Sequence, residues 1–132
     1  MLAVILSNTA RADDRRLAGK ASEEASVLRI SFSAIKPGKE ARLRAWLAEL
    51  NERADEVRAT FRDETVRAEQ AFIIDGPNGP MLVYAIEAAD FERGAAAFAN
   101  SRHPIDAEHR AIMQECVEPR LNVSPVYNVS DN

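Results

Sequence analysis

The sequence predicts an α+β fold built in the order strand, helix, strand, strand, helix, strand. Three observations carry that expectation. Residues 27–35 alternate with period two, residues 39–63 repeat apolar side chains at steps of three and four, and a glycine- and proline-dense turn at 76–80 separates two apolar runs. The 132 residues amount to one domain at roughly 100–200 residues per domain.

Each element has its own signal. In Val27 to Ile35, Leu28, Ile30 and Phe32 fall on one side and Arg29, Ser31 and Ser33 on the other, which predicts a strand with one apolar face. The polar side is read as the face turned away from the helices. Lys36-Pro37-Gly38 breaks the strand, and proline suits a helix start. From Lys39 to about Asp63, Leu43, Trp46, Leu47, Leu50, Ala54, Val57 and Phe61 trace one stripe of a single long helix. Its Glu40–Arg44 and Glu49–Arg53 pairs have the favourable i,i+4 order. Thr65 to Asp75 and Met81 to Glu87 read as two strands of a hairpin around Gly76-Pro77-Asn78-Gly79-Pro80. Asp90 caps a helix reaching Ala99, with Phe91, Ala95 and Phe98 on one face. A further helix starts at Pro104, carries Ile105, His109, Ile112 and Cys116 on a buried stripe, and ends at Pro119. Val123 to Val129 is expected as a last strand, at a sheet edge because Pro125 interrupts it.

This is the split βαββαβ unit of ferredoxin-like folds, with an extra helix. It implies a four-stranded antiparallel sheet with helices on one face. The uncovered face is expected to be hidden by pairing two sheets in a homodimer. Residues 1–26 stand apart as an N-terminal extension to a domain of residues 27–132. Their apolar run, Leu2 to Leu6, is too short for a secretory signal and lacks a basic start, so they read as a tail or an added arm, of a kind able to form a short helix on a partner subunit.

Composition excludes several classes. Seventeen Lys and Arg against 21 Asp and Glu give a net charge of −4, which argues against a nucleic-acid partner. The single cysteine, Cys116, forms no internal disulfide and no CxxC motif, and on its apolar stripe it reads as a buried structural thiol. No apolar run is long enough to cross a membrane, and no dinucleotide or P-loop fingerprint is present. Two glycosylation sequons, at Asn122 and Asn128, are read as chance in a chain expected to be cytoplasmic.

Ile35-Lys36-Pro37-Gly38-Lys39-Glu40 followed by Leu43, Trp46 and Leu50, the Gly76-Pro77-Asn78-Gly79 hairpin, and the run from Ser101 to Arg110 with Met113, Glu115 and Cys116 resemble an uncharacterised family of small bacterial proteins, a domain of unknown function. The resemblance spans about residues 27–118. That family looks like a member of the dimeric α+β barrel superfamily. The superfamily includes antibiotic-biosynthesis-type monooxygenases, polyketide cyclases, muconolactone isomerases, sugar mutarotases and haem peroxidases. The resemblance implies a fold, a homodimer and a pocket, but no particular reaction.

Two groups of residues are candidates for chemistry. His103, Asp106 and His109 are spaced three apart on a helix, so that Asp106 is expected to reach both histidines. A carboxylate on an imidazole fixes its tautomer and raises its basicity, as in general bases and metal ligands. Three readings stay open for this trio: proton transfer on a small molecule, a metal site, or plain structure, with His103 at a helix start and His109 in the core. A metal is disfavoured by the roughly 9 Å of helix rise between the histidines. The second group is Arg29 with Glu69 or Glu87, joined by Tyr84, which would bind a polar ligand if two sheets close into a barrel; the alternative is an ion pair at a dimer interface. A buried carboxylate there would have a raised pKa. The leading function is therefore binding or cofactor-independent conversion of a small organic molecule. A non-catalytic dimeric binding protein and a metal-dependent enzyme are the alternatives.

Overall fold

The computed structural model describes residues 25–131, so the reading of residues 1–24 falls outside it. The elements are β1 (Val27–Ala34), α1 (Glu40–Glu52), α2 (Ala54–Glu64), β2 (Val66–Gly76), β3 (Gly79–Ala88), α3 (Phe91–Ala99), α4 (Pro104–Cys116) and β4 (Leu121–Val123). The strands form one sheet in the order β2-β3-β1-β4, and every neighbouring pair is antiparallel. This is the ferredoxin-like arrangement the sequence predicts, with four helices on one face.

Local signals account for most boundaries. Asp90 Oδ1 accepts from the Arg93 backbone N–H at 3.0 Å and caps α3. Pro104 opens α4, and Pro119 lies just beyond its end. β2 and β3 pair as far as Gly76 and Gly79, leaving Pro77 and Asn78 as the loop. Gly79 has φ +122°, a conformation open to glycine, and a Cβ on Gly76 would come within 2.9 Å of Met81 Sδ.

Three expectations are corrected. The single helix of 39–63 is two helices that meet at Arg53, whose φ of −103° and ψ of 31° leave the helical region. Neither glycine nor proline marks the break in the sequence. Arg53 instead ties three helices together through Glu49, Glu56 and Glu108, the last at 2.6 Å. The last strand is residues 121–123, earlier and shorter than expected. It pairs with β1 through Leu121, Asn122 and Val123, at the sheet edge, and stops before Pro125, which has no N–H to donate.

The alternation of β1 is present, but its phase is inverted. Ser31 lies opposite Tyr84 and Ser33 opposite Leu82. All four are buried beneath the helices, at 4% or less exposure. Small serines beside Tyr84 and Leu82 leave room for the large side chains under α1 and α4. Arg29 also faces the helices and lays its guanidinium 4.4 Å from the centre of the Phe91 ring. Leu28, Ile30 and Phe32 face the other way, together with Phe72, Ile74, Met81, Val83, Leu121 and Val123. The sheet is therefore apolar on both faces, and alternation alone does not tell which face meets the helices.

The core fills the space between sheet and helices. Leu82, Tyr84, Ile86 and Ala88 of β3 pack beneath Leu43 and Trp46 of α1, Phe91 and Phe98 of α3, and Ile105 and Cys116 of α4. Trp46 and Cys116 are core residues, as read from sequence. Burial raises the Cys116 thiol above its ordinary range, consistent with an unreactive side chain.

Candidate functional site

His109 is the centre of the polar chemistry inside the core. α4 carries it on the buried stripe that begins with Ile105, and it is fully buried. Trp46, Tyr84 and Phe98 surround it, with ring centres 6.1, 6.3 and 6.4 Å away. The Trp46 indole N–H donates to His109 Nδ1 at 2.9 Å, and Tyr84 Oη lies 3.5 Å from Nε2. Burial, reinforced by the charges of Arg120 and Arg110, pushes the imidazole pKa down to about 3. The ring is neutral at physiological pH, and its Nδ1 is already engaged.

The expected His103–Asp106–His109 chain is not assembled. His103 stands at the start of α4 with its ring half-exposed and pairs with Asp63 at 2.8 Å. Asp106 is fully buried in the first turn and accepts from Ser101 Oγ at 2.5 Å. Its other oxygen, Oδ1, meets no hydrogen-bond partner among the described residues. The helical spacing is as expected, but each side chain finds a nearer partner outside α4. Among the described residues, no cluster of three His, Cys, Asp or Glu side chains converges as a metal ion would need.

The second group is divided by the sheet. Glu69 and Tyr84 lie on the helix side, in the same cross-strand rows as Ile86 and Ala71 respectively. Glu87 lies on the opposite face and accepts a short hydrogen bond from Ser26 Oγ. Arg29 shares the helix side but is spent on Phe91, two strands away from Glu69 in the same row. Neither the Arg29–Glu69 nor the Arg29–Glu87 pairing is made. Tyr127 is exposed, whereas Tyr84 is buried at 2% exposure.

Glu69 and Tyr84 open onto a cleft of about 440 Å³ between the sheet and the α1–α2 bend. Its wall is largely apolar, formed by Leu47, Leu50, Ala54, Val57, Phe61, Ala71 and Phe72, with Asn51, Arg58 and Gln70 adding polar groups. Size, apolar wall and a few convergent polar groups are the usual attributes of a small-molecule site. Loss of surrounding water holds the Glu69 carboxyl above the usual carboxylate range, with the charge of Asp106 acting in the same direction. Burial, then the charge of Glu69, raises the Tyr84 phenol. Arg120, just before β4, sits 4.8 Å from the centre of the Tyr84 ring, and burial lowers its pKa. A hollow of about 550 Å³ at the end of β1 is larger, but its one cation, Lys36, is directed away to the Gln114 carbonyl at 2.8 Å.

Sequence reading missed two members of this site. Trp46 reads as core from its stripe, and no local signal places it against a histidine 63 residues away. Arg120 lies in a short segment after Pro119 with no periodicity at all.

The comparisons with known proteins agree with the fold. A solved structure described as a candidate antibiotic biosynthesis monooxygenase, from Bacteroides thetaiotaomicron, shares 16% identity over 84% of this chain and 99% of its own, with a TM-score of 0.51. A dimeric protein of unknown function with a ferredoxin-like fold, from Bacteroides fragilis, shares 16% identity over 74% of this chain and 92% of its own, with a TM-score of 0.47. Rv0793 of Mycobacterium tuberculosis shares 20% identity over 80% of this chain and 100% of its own, with a TM-score of 0.45. No curated protein matches. A match over residues 28–130 reaches past Glu118, where the resemblance read from the sequence ended, and on it the chain belongs to the family of unknown function DUF6176.

Proposed function

We propose that this protein binds a small organic molecule in the cleft between the sheet and the α1–α2 bend, and that Glu69 moves a proton on it without a cofactor. The observation that carries this reading is the cleft itself: a largely apolar wall that also holds a carboxylate and a phenol. Glu69 is better suited to the base role than His109. An imidazole with a pKa of about 3 and an occupied Nδ1 is a poor proton acceptor at pH 7, whereas burial makes the Glu69 carboxylate more basic than an ordinary one and its side chain lines the cleft. His103, Asp106 and His109, the sequence's candidates, are held on separate partners, which supports neither a catalytic chain nor a shared metal ion.

The test is proton exchange on a carbonyl compound that fits the cleft. With 1-tetralone in heavy water, the protein is expected to speed loss of the α-hydrogens, and Glu69→Gln to abolish that acceleration while binding persists. General acid–base catalysis contributes typically 10²–10⁴-fold, so the effect is readily measured by NMR. Binding without exchange would instead favour the non-catalytic ligand-binding alternative.

The apolar open face of the sheet supports the second half of the reading, a homodimer. Leu28, Leu121 and Phe72 are 61%, 66% and 49% exposed, and Val126, Tyr127 and Val129 in the segment after β4 are exposed as well. A sheet face this apolar is unusual on a monomer, and a second copy offers it an identical apolar surface. Among the described residues, no helix is long and apolar enough to cross a membrane. We assign the dimer to the cytoplasm.

A further inference from the structure

We infer that Trp46 sets the tautomer of His109 and, through it, turns the Tyr84 O–H away from the ring and into the cleft, so that the cleft selects ligands presenting an acceptor oxygen, such as a ketone or an enolate. This deepens the proposed function and rests on it for the ligand, though not for the tautomer.

An indole N–H only donates, so the contact at 2.9 Å requires His109 Nδ1 to carry no proton. A neutral imidazole then holds its proton on Nε2. Nε2 faces Tyr84 Oη at 3.5 Å, so the imidazole is the donor in that contact and the phenol oxygen the acceptor. The phenol's own hydrogen must therefore point elsewhere. Tyr84 lines the cleft, and its ring is held between His109 on one side and the Arg120 guanidinium 4.8 Å from its centre. His109 is fully buried, so its protein partners rather than solvent decide the tautomer. Trp46 and His109 touch no ligand in this arrangement; they are positioning residues, and Tyr84 is the group that meets the ligand.

The chain holds two histidines, which makes the test direct. In ¹⁵N-histidine-labelled protein at pH 7, with His103→Gln to assign the signals, His109 is expected as a single neutral tautomer protonated on Nε2. Trp46→Phe is expected to release Nδ1 and give a mixture of tautomers. A His109 protonated on Nδ1, or on both nitrogens, in the wild type would overturn the inference without any variant being made. Calorimetry then addresses the ligand. Wild type is expected to bind 1-tetralone about tenfold more tightly than tetralin, its oxygen-free analogue, as one net hydrogen bond allows. Tyr84→Phe is expected to remove that preference, and Trp46→Phe to weaken it. A preference that survives Tyr84→Phe would overturn the assignment of Tyr84. If neither compound binds while the tautomer is as stated, the small-molecule reading of the cleft fails, and the acceptor preference with it.

Discussion

The buried imidazole of His109 couples stability to pH, and the sign follows from its position. Its pKa falls from an ordinary 6.5 in the unfolded chain to about 3 in the fold. As pH drops below 6.5 the unfolded state takes up a proton that the folded state refuses, so stability is lost progressively between pH 6.5 and pH 3. From pH 7 to pH 5 this amounts to about 2 kcal/mol, at 1.36 kcal/mol per pH unit once the unfolded group titrates. Urea denaturation at the two pH values is expected to show that loss in the wild type. His109→Gln is expected to be less stable at pH 7 and to lose about 2 kcal/mol less than wild type between the two; equal slopes would mean that His109 carries its charge inside the fold. Glu69 is a case of opposite sign. Its carboxyl is raised, so its contribution to stability is lost as pH rises from its ordinary range through the folded value. Little of this was legible in the sequence. The stripe of α4 placed His109 in the core, but its partners Trp46 and Tyr84 lie 63 and 25 residues away on other elements. Helical spacing ranks candidate partners only within one helix, which is why Asp106 looked like the natural neighbour.

Elements were far more legible than contacts, because periodicity and turn chemistry are local. The boundaries that glycine, proline or an Asp cap marks need no other explanation; the Arg53 break and the inverted phase of β1 do. Both depend on what lies across the fold: the carboxylates of α1, α2 and α4 around Arg53, and Tyr84 and Leu82 opposite the serines. The junction at Thr65 is another such place. Thr65 ends α2 in the left-handed region, with φ 60° and ψ 20°, a costly conformation for a β-branched residue. Its hydroxyl donates to the Asp90 carbonyl and accepts from the Asp90 N–H, both at 2.9 Å, and so fastens the end of α2 to the cap of α3. Thr65→Val keeps the shape and removes both bonds. It is expected to lower stability by about 1 kcal/mol in chemical denaturation, and Thr65→Ser to recover most of the loss. A Val variant as stable as wild type would show that water replaces the hydroxyl at no cost.

At the scale of the whole molecule, the inverted phase of β1 changes what the small size means. With Arg29, Ser31 and Ser33 under the helices, the face left open is the apolar one, and it runs across all four strands from Phe72 and Ile74 to Leu121 and Val123. A barrel closed by two such faces would have an apolar interior, so the arrangement favours the proposed ligand site within each subunit, between sheet and helices, over the polar site expected between subunits. Subunit pairing and ligand binding are then separable. Leu28 and Leu121 sit on the open face, away from the cleft, and are 61% and 66% exposed in the single chain, so acidic residues there leave the fold intact. The double variant Leu28→Glu, Leu121→Glu is expected to run as a monomer in light scattering at concentrations where wild type is a dimer. Burying four carboxylates between two sheets costs several kcal/mol per ion unless each is paired, and the face supplies no basic partner among the residues named. The same variant is expected to keep its circular dichroism spectrum and the Nε2–H tautomer of His109, because the Trp46–His109–Tyr84 contacts lie wholly inside one chain. A variant that remains dimeric would place the interface elsewhere. A monomer that loses the tautomer would show that the partner subunit holds the site in shape.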